Sequence, residues 1–91
     1  MRLDLFLKVS RLCPRRTLAQ ELCDAGFVLL NGRPAKSAHA VKAGDEIQIR
    51  RRDREIIARV VKAPATRNVS RRDAVQLVEI VSERVLESLN E

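Results

Sequence analysis

Between Leu3 and Leu12 the apolar residues are spread round nearly the whole girth of any helix drawn through the segment. At about 100° per residue, Leu3, Leu5, Phe6, Leu7, Val9 and Leu12 occupy most of the circumference, and Asp4, Lys8 and Arg11 share one narrow polar stripe. Such a helix cannot rest on a surface; the remaining chain has to wrap it. That chain is short. A domain of 91 residues buries a little over ~60% of its unfolded surface. The opening helix, Arg2 to Leu12, is therefore expected to nucleate one modest core, with no room beside it for a separate catalytic domain.

Pro14 disfavours helix at Cys13 and suits the first turn of a new one. Arg15 to Ala25 reads as that second helix. Leu18, Leu22 and Ala25 fall on its core side, and Arg16 and Gln20 lie one turn apart on the other. Gly26 stands where a left-handed C-terminal cap is expected. The period then changes. Phe27–Leu30 reads as a short strand, Asn31-Gly32 as a tight hairpin turn, and Arg33 to Val41 as a looser stretch. Gly44-Asp45 marks a turn into the alternating strand Glu46–Arg50. Arg51–Arg54 reads as a hairpin tip or loop, and Glu55–Val61 as the returning strand.

Ser70, with Asp73 three residues on, has the form of a helix start. Ala74, Leu77, Val78, Val81, Val85 and Leu89 recur at helical spacing, so Arg71–Leu89 is expected to be helical, with a strand over part of Val75–Val81 as the alternative. The expected fold class is α+β: two N-terminal helices on a small curved antiparallel sheet, followed by a C-terminal helix. Residues 1–62 form the expected body, with its core motif in 1–49, and residues 63–91 a connector and helical segment that pack on it or extend it.

Charge gives the first functional constraint. Eighteen Lys and Arg against twelve Asp and Glu leave +6, which suits a polyanion such as nucleic acid or, less often, an anionic membrane face. The excess is uneven: +4 over residues 1–50, +6 over 51–72 and −4 over 73–91. Arg2, Lys8, Arg11, Arg15 and Arg16 crowd the two helices, opposed only by Asp4. A single surface arginine means little, since charged residues are normal on helices. Five cations in so short a stretch point to phosphate, which the guanidinium fork matches in two-pronged fashion. Arg2 and Arg16, placed on polar stripes, are expected to be replaceable without harm to the fold. With no Trp or Tyr, and both Phe in apolar runs, the means of stacking single-stranded bases is missing. Structured RNA, held by its backbone and shape, fits better.

Other chemistries find little support. His39 is the one histidine and no CxxC occurs, so a zinc site fails on ligand count. Cys13 and Cys23 read as reduced, buried small side chains, too few for a disulfide framework. Ser10 and Ser37 lack a nucleophile setting, and the three glycines build no phosphate loop. Neither metal nor other cofactor is expected. No apolar run approaches the ~20 residues that cross a bilayer, and no signal-like segment precedes the first helix. A cytoplasmic, non-enzymatic monomer without a membrane partner is expected.

RLDLFLKVSRL, then RRTLAQELCDAGFVLLNGRPAKSA, then VKAGDEI, together resemble the S4 RNA-binding domain. The resemblance spans residues 1–49 and rests on the RLD opening, Ser10-Arg11, the Gly26-x-Val28-x-x-Asn31-Gly32 run and Gly44-Asp45. It implies the S4-like (alpha-L) fold, with the helix pair presenting RNA-binding side chains. The MRLD-x-FLK opening and RRTLA are most similar to the family's bacterial ribosome quality-control branch. That similarity implies binding to an obstructed large ribosomal subunit, contact with 23S rRNA and peptidyl-tRNA, and cooperation with an RqcH-like tailing factor that adds C-terminal alanine. By position it implies Arg2 and Arg16 as the principal RNA contacts, supported by Lys8, Arg11, Arg15, Thr17, Gln20 and Lys36. Pro14 departs from the basic or small residue common among relatives, and the apolar C-terminal segment is the least family-like part.

Three other readings stand beside it. A heat-shock S4 protein that recycles large subunits carrying nascent chain shares the module, but normally ends in a longer basic extension, unlike the acidic end here. An interaction adaptor would use the Ala74–Leu89 apolar stripe, with RNA binding incidental. A helix-turn-helix DNA binder would need more base-reading groups along the second helix.

Overall fold

The computed structural model describes residues 1–66 and 68–85. Helix α1 covers Leu3–Val9 and α2 covers Arg16–Asp24. Strands β1 (Val28–Leu30), β2 (Arg33–Pro34), β3 (Glu46–Arg51) and β4 (Arg54–Val60) follow, then one helical turn, α3 (Arg71–Ala74), and β5 (Val78–Val85). The five strands form one antiparallel sheet in the order β2-β1-β3-β4-β5.

The first helix is wrapped as its composition requires. Leu3, Phe6 and Leu7 are fully buried, and Val9 nearly so. It stops at Val9, short of Leu12, because Arg11 takes a left-handed conformation (φ 69°) and turns the chain back. The Arg11 N–H donates to the Lys8 carbonyl oxygen and the Cys13 N–H to that of Leu7, which draws Leu12 and Cys13 into the core. On α2 the buried positions are Ala19 and Cys23, with Leu18 and Leu22 half-buried and Ala25 exposed. The core face is thus rotated by one residue from the leucine-based reading. Small side chains at the contact let the two helices approach closely.

The strands follow the alternation closely. Val28, Leu30, Ile47, Ile49, Ala58 and Val60 line the inner face and join the helices in a single cluster. Positive φ at Asn31 (53°) and Gly32 (85°) closes the β1–β2 hairpin. Asp45 fastens this turn to the entry of β3: its side chain accepts from Asn31 Nδ2 (3.1 Å) and from the Lys42 N–H (2.9 Å), while the Glu46 N–H donates to Asn31 Oδ1 (2.9 Å).

The C-terminal helix expected over Arg71–Leu89 does not form in the described part; its last residues, 86–89, lie outside the described residues. The helix start itself is present, with Ser70 Oγ accepting from the Asp73 N–H at 3.0 Å. Only one turn follows. Ala74 and Leu77 enter the core, and Val78–Val85 then pairs along β4. Two effects outweigh helical spacing here. The segment is rich in β-branched residues, and β4 presents an open backbone edge that needs partners. Cross-strand ion pairs reinforce the register: Arg54–Glu83 at 2.9 Å, Arg59–Glu79 at 3.2 Å and Arg84–Glu55 at 2.8 Å. A bulge between Ile57 and Ala58 shifts that register partway along.

Candidate nucleic-acid interface

Asp4 looks like a stripe residue in the sequence, yet its side chain is wholly buried, at 0% exposure. Burial of a lone carboxylate would be costly; five hydrogen bonds compensate for it. Oδ1 accepts from the Leu5 N–H (2.7 Å) and Arg2 Nε (3.2 Å). Oδ2 accepts from Gln20 Nε2 (2.8 Å), Arg16 Nε (3.1 Å) and Arg2 Nη2 (3.2 Å). Burial alone would raise the carboxyl pKa, but the Gln20, Arg16, Arg2 and Leu5 donors together outweigh it and hold it below the ordinary value. Asp4 is therefore an anion at neutral pH, and it draws the start of α1 and the first turns of α2 together.

The two arginines it grips remain partly in solvent, with side chains 48% exposed at Arg2 and 34% at Arg16. Each engages Asp4 through Nε, and Arg16 leaves both terminal nitrogens out of that bond. One buried anion thus fixes two cationic groups, with one terminal nitrogen of Arg2 and both of Arg16 left out of its bonds. The expectation that Arg2 and Arg16 sit free on polar stripes is corrected accordingly: both belong to the packing as well as to the surface.

The loop after β2 closes one side of this cluster. The Leu3 N–H donates to the His39 carbonyl oxygen (2.7 Å) and the Asp4 N–H to that of Ser37 (3.1 Å), while Arg2 bridges to Ala40. These bonds satisfy the free N–H groups at the start of α1 and bring exposed Lys36 beside the helix pair. Lys8 is exposed one turn along α1 from Asp4, and Thr17 is exposed in the first turn of α2. The structure thus gathers Arg2, Arg16 and Gln20 through direct bonds to Asp4; Lys8, Thr17 and Lys36 are exposed without a bond to that cluster, and Lys36 shares a cleft with Cys23 and Asp24 at the far end of α2. Arg11 and Arg15 stand apart, exposed on the α1–α2 connection. Among the described residues no ion pair involves Lys8, Arg11, Arg15 or Lys36, so four positive charges are uncompensated.

Asp4 is the residue that sequence reasoning missed. The signal available was its position between Arg2 and the apolar helix, with Arg16 and Gln20 one turn apart on α2. Of the two phenylalanines, Phe6 is buried, while Phe27 is 46% exposed. Phe27 lines a cleft with Gly26, Leu29, Gln48, Arg50 and Glu55, none of them a member of the Asp4 cluster. The helix-pair surface itself is cationic and without aromatic rings, which suits phosphates and shape over base stacking.

The S4 domain model matches residues 1–47. The chain is similar to the RQC P-site tRNA stabilizing factor of Halalkalibacterium halodurans, at 43% identity over 91% of this chain and 92% of that protein. The protein of the same name from Streptococcus pneumoniae is 38% identical over 96% of this chain and 97% of its own length. Among solved structures, Vibrio cholerae Heat Shock Protein 15, solved as a trimer, superposes with a TM-score of 0.80 at 29% identity, covering 90% of this chain and 82% of that one.

Proposed function

The chain belongs to the S4 domain family, in the branch of the RQC P-site tRNA stabilizing factors, and from that premise we propose that it binds obstructed large ribosomal subunits during ribosome quality control. In this reading residues 1–62 are the body of a cytoplasmic, non-enzymatic, monomeric RNA-binding unit. Arg2 and Arg16 hold phosphates of 23S rRNA and of peptidyl-tRNA, with Gln20, Thr17, Lys8, Lys36, Arg11 and Arg15 contacting the same RNA. The chain does no bond-making chemistry. It keeps tRNA and rRNA in one geometry, which supports an RqcH-like factor as it adds alanine to the stalled chain.

The observation that carries this reading is the Asp4 cluster. A buried carboxylate bonded to two half-exposed arginines fixes cationic forks in place before RNA arrives, and so lowers the ordering cost of binding. Heat Shock Protein 15 has the same architecture, which favours a second reading as a recycling factor for large subunits carrying nascent chain. Crosslinking the protein within ribosomal complexes and sequencing the attached RNA tests both. The first reading expects crosslinks to a 23S stem-loop and to tRNA; crosslinks to 23S rRNA without tRNA favour the second. Crosslinks spread in proportion to RNA abundance would overturn both.

A further inference from the structure

Among the described residues, three other than glycine hold a positive φ: Asn31, Arg11 (69°) and Arg52 (53°). The left-handed region is unfavourable for a residue with a Cβ, and glycine or asparagine fills it most readily. The Asn31-Gly32 turn follows that rule. The β3–β4 turn does not: Arg52 sits at its tip, between the paired Arg51 and Arg54, where glycine would be the easier choice. An arginine kept against its backbone preference points to a task for its side chain.

The two left-handed arginines lie at one end of the molecule. Arg51 donates from Nη1 to the Leu12 carbonyl oxygen at 3.3 Å, which ties the hairpin tip to the α1–α2 connection that carries Arg11 and Arg15. This bond is to a neutral group, so the Arg51 charge stays uncompensated. Arg52, Arg11 and Arg15 are exposed and take part in no ion pair among the described residues. Arg54 is neutralised by Glu83. A cleft of about 440 Å³ opens at the tip, lined by Arg51, Arg52, Asp53, Arg54 and Ile56. It holds no aromatic ring to stack a base and, in half-buried Ile56, a single apolar side chain, too little to anchor a peptide; with Arg54 paired, Arg51 and Arg52 stand against the one carboxylate of Asp53 and leave the tip positive. Its chemistry is that of a phosphate contact.

We infer that the β3–β4 tip is a second RNA contact, in which Arg52 and Arg51 grip backbone phosphates continuously with Arg11 and Arg15, at a place separate from the Asp4 cluster. The inference rests on the ribosomal RNA reading above. The Arg51–Leu12 bond makes Arg51 a positioning residue as well, since it holds the tip and the helix connection at fixed spacing. The RNA would then be clasped at two points, and its shape, not its sequence, would decide the fit.

The test uses Arg52→Gly and Arg52→Asn in the full chain, both of which suit the left-handed backbone. Arg59→Gln, at a charge already paired with Glu79, serves as the control for net charge. Binding to purified large ribosomal subunits is measured between 50 and 200 mM salt. Losing one phosphate contact lowers the log–log salt slope by about 1, so the affinity ratio of parent to variant should shrink about fourfold across that range. Both Arg52 variants should show this while melting no lower than the parent, with Arg59→Gln unchanged in slope. Parent-like slopes in both Arg52 variants would overturn the second contact, as would an equal drop in Arg59→Gln. If the parent itself fails to bind large subunits, the ribosomal reading fails instead, and the two failures are told apart.

Discussion

Replacing Asp4 with asparagine sets two expectations against each other. The substitution removes a negative charge from a cationic surface. By charge alone it should tighten RNA binding, by less than about 1 kcal/mol for one unit charge across several ångströms of water. The geometry predicts the reverse. The Arg2 and Arg16 ion pairs, at 3.2 and 3.1 Å, are lost together. Charged hydrogen bonds are worth about 1.5–3 kcal/mol when desolvated; with both arginines partly in solvent, about 1 kcal/mol each is the appropriate discount. The expected destabilisation is about 2 kcal/mol, a fall of roughly 8–16 °C in melting temperature for a domain of this size. Two freed arginines must then be ordered on binding, at about 0.5–1.5 kcal/mol each, which weakens RNA affinity by up to roughly 30-fold once about 1 kcal/mol for the added charge is subtracted. Thermal melts by circular dichroism and binding to large subunits, corrected for the folded fraction, measure both. A variant that melts like the parent, or that binds more tightly, would refute the idea that Asp4 positions the arginines.

Three further outcomes follow from other parts of the structure. Asp4, Asp45 and Glu55 all have lowered pKa values. At Asp45 burial opposes the shift and the Lys42 N–H and Asn31 donors drive it; at Glu55 the Gln48 hydrogen bond leads. Each contributes stability that is complete above about pH 5 and lost as pH falls through about 4 and below; melting temperatures should be flat from pH 7 to 5 and then drop, and a flat acid limb would contradict this. Burial pushes the Cys13 and Cys23 thiols up to about 11, so both should resist iodoacetamide at pH 8 until the protein is unfolded; rapid native labelling of either would show the burial to be wrong. Deleting residues 73–91 strips β4 of one of its two partner strands and removes buried Ala74 and Leu77, a loss of more than about 2 kcal/mol. The truncated chain should lose its cooperative melt, and one that melts unchanged would mean the segment is a mere appendage.

The first half of the fold was legible because local signals agree with tertiary need. The α1 wheel is apolar nearly all round and is buried so. Asn31-Gly32 demands the turn it makes, and Glu46–Arg51 alternates as its two faces require. Beyond residue 70 the signals conflict. Val78, Val81 and Val85 fit a helical stripe as well as a strand, and only the open edge of β4 decides between them. The helix after Ser70 starts as its capping residue dictates and then yields to that edge. Most of the candidate site was visible as a concentration of cations. Its organising anion was not, because a wheel places Asp4 beside Lys8 and cannot show that α2 packs over it. The tie from Arg51 to the Leu12 carbonyl was equally out of reach, since it joins segments far apart in the chain.

The most direct test of the ribosomal role compares two preparations of large subunits, one carrying peptidyl-tRNA and one empty, in equilibrium binding at several salt concentrations. Four to six phosphate contacts imply a log–log slope of roughly −3 to −5, and contact with tRNA predicts clearly tighter binding to the loaded subunits. Equal affinity for loaded and empty subunits, or a flat response to salt, would contradict it.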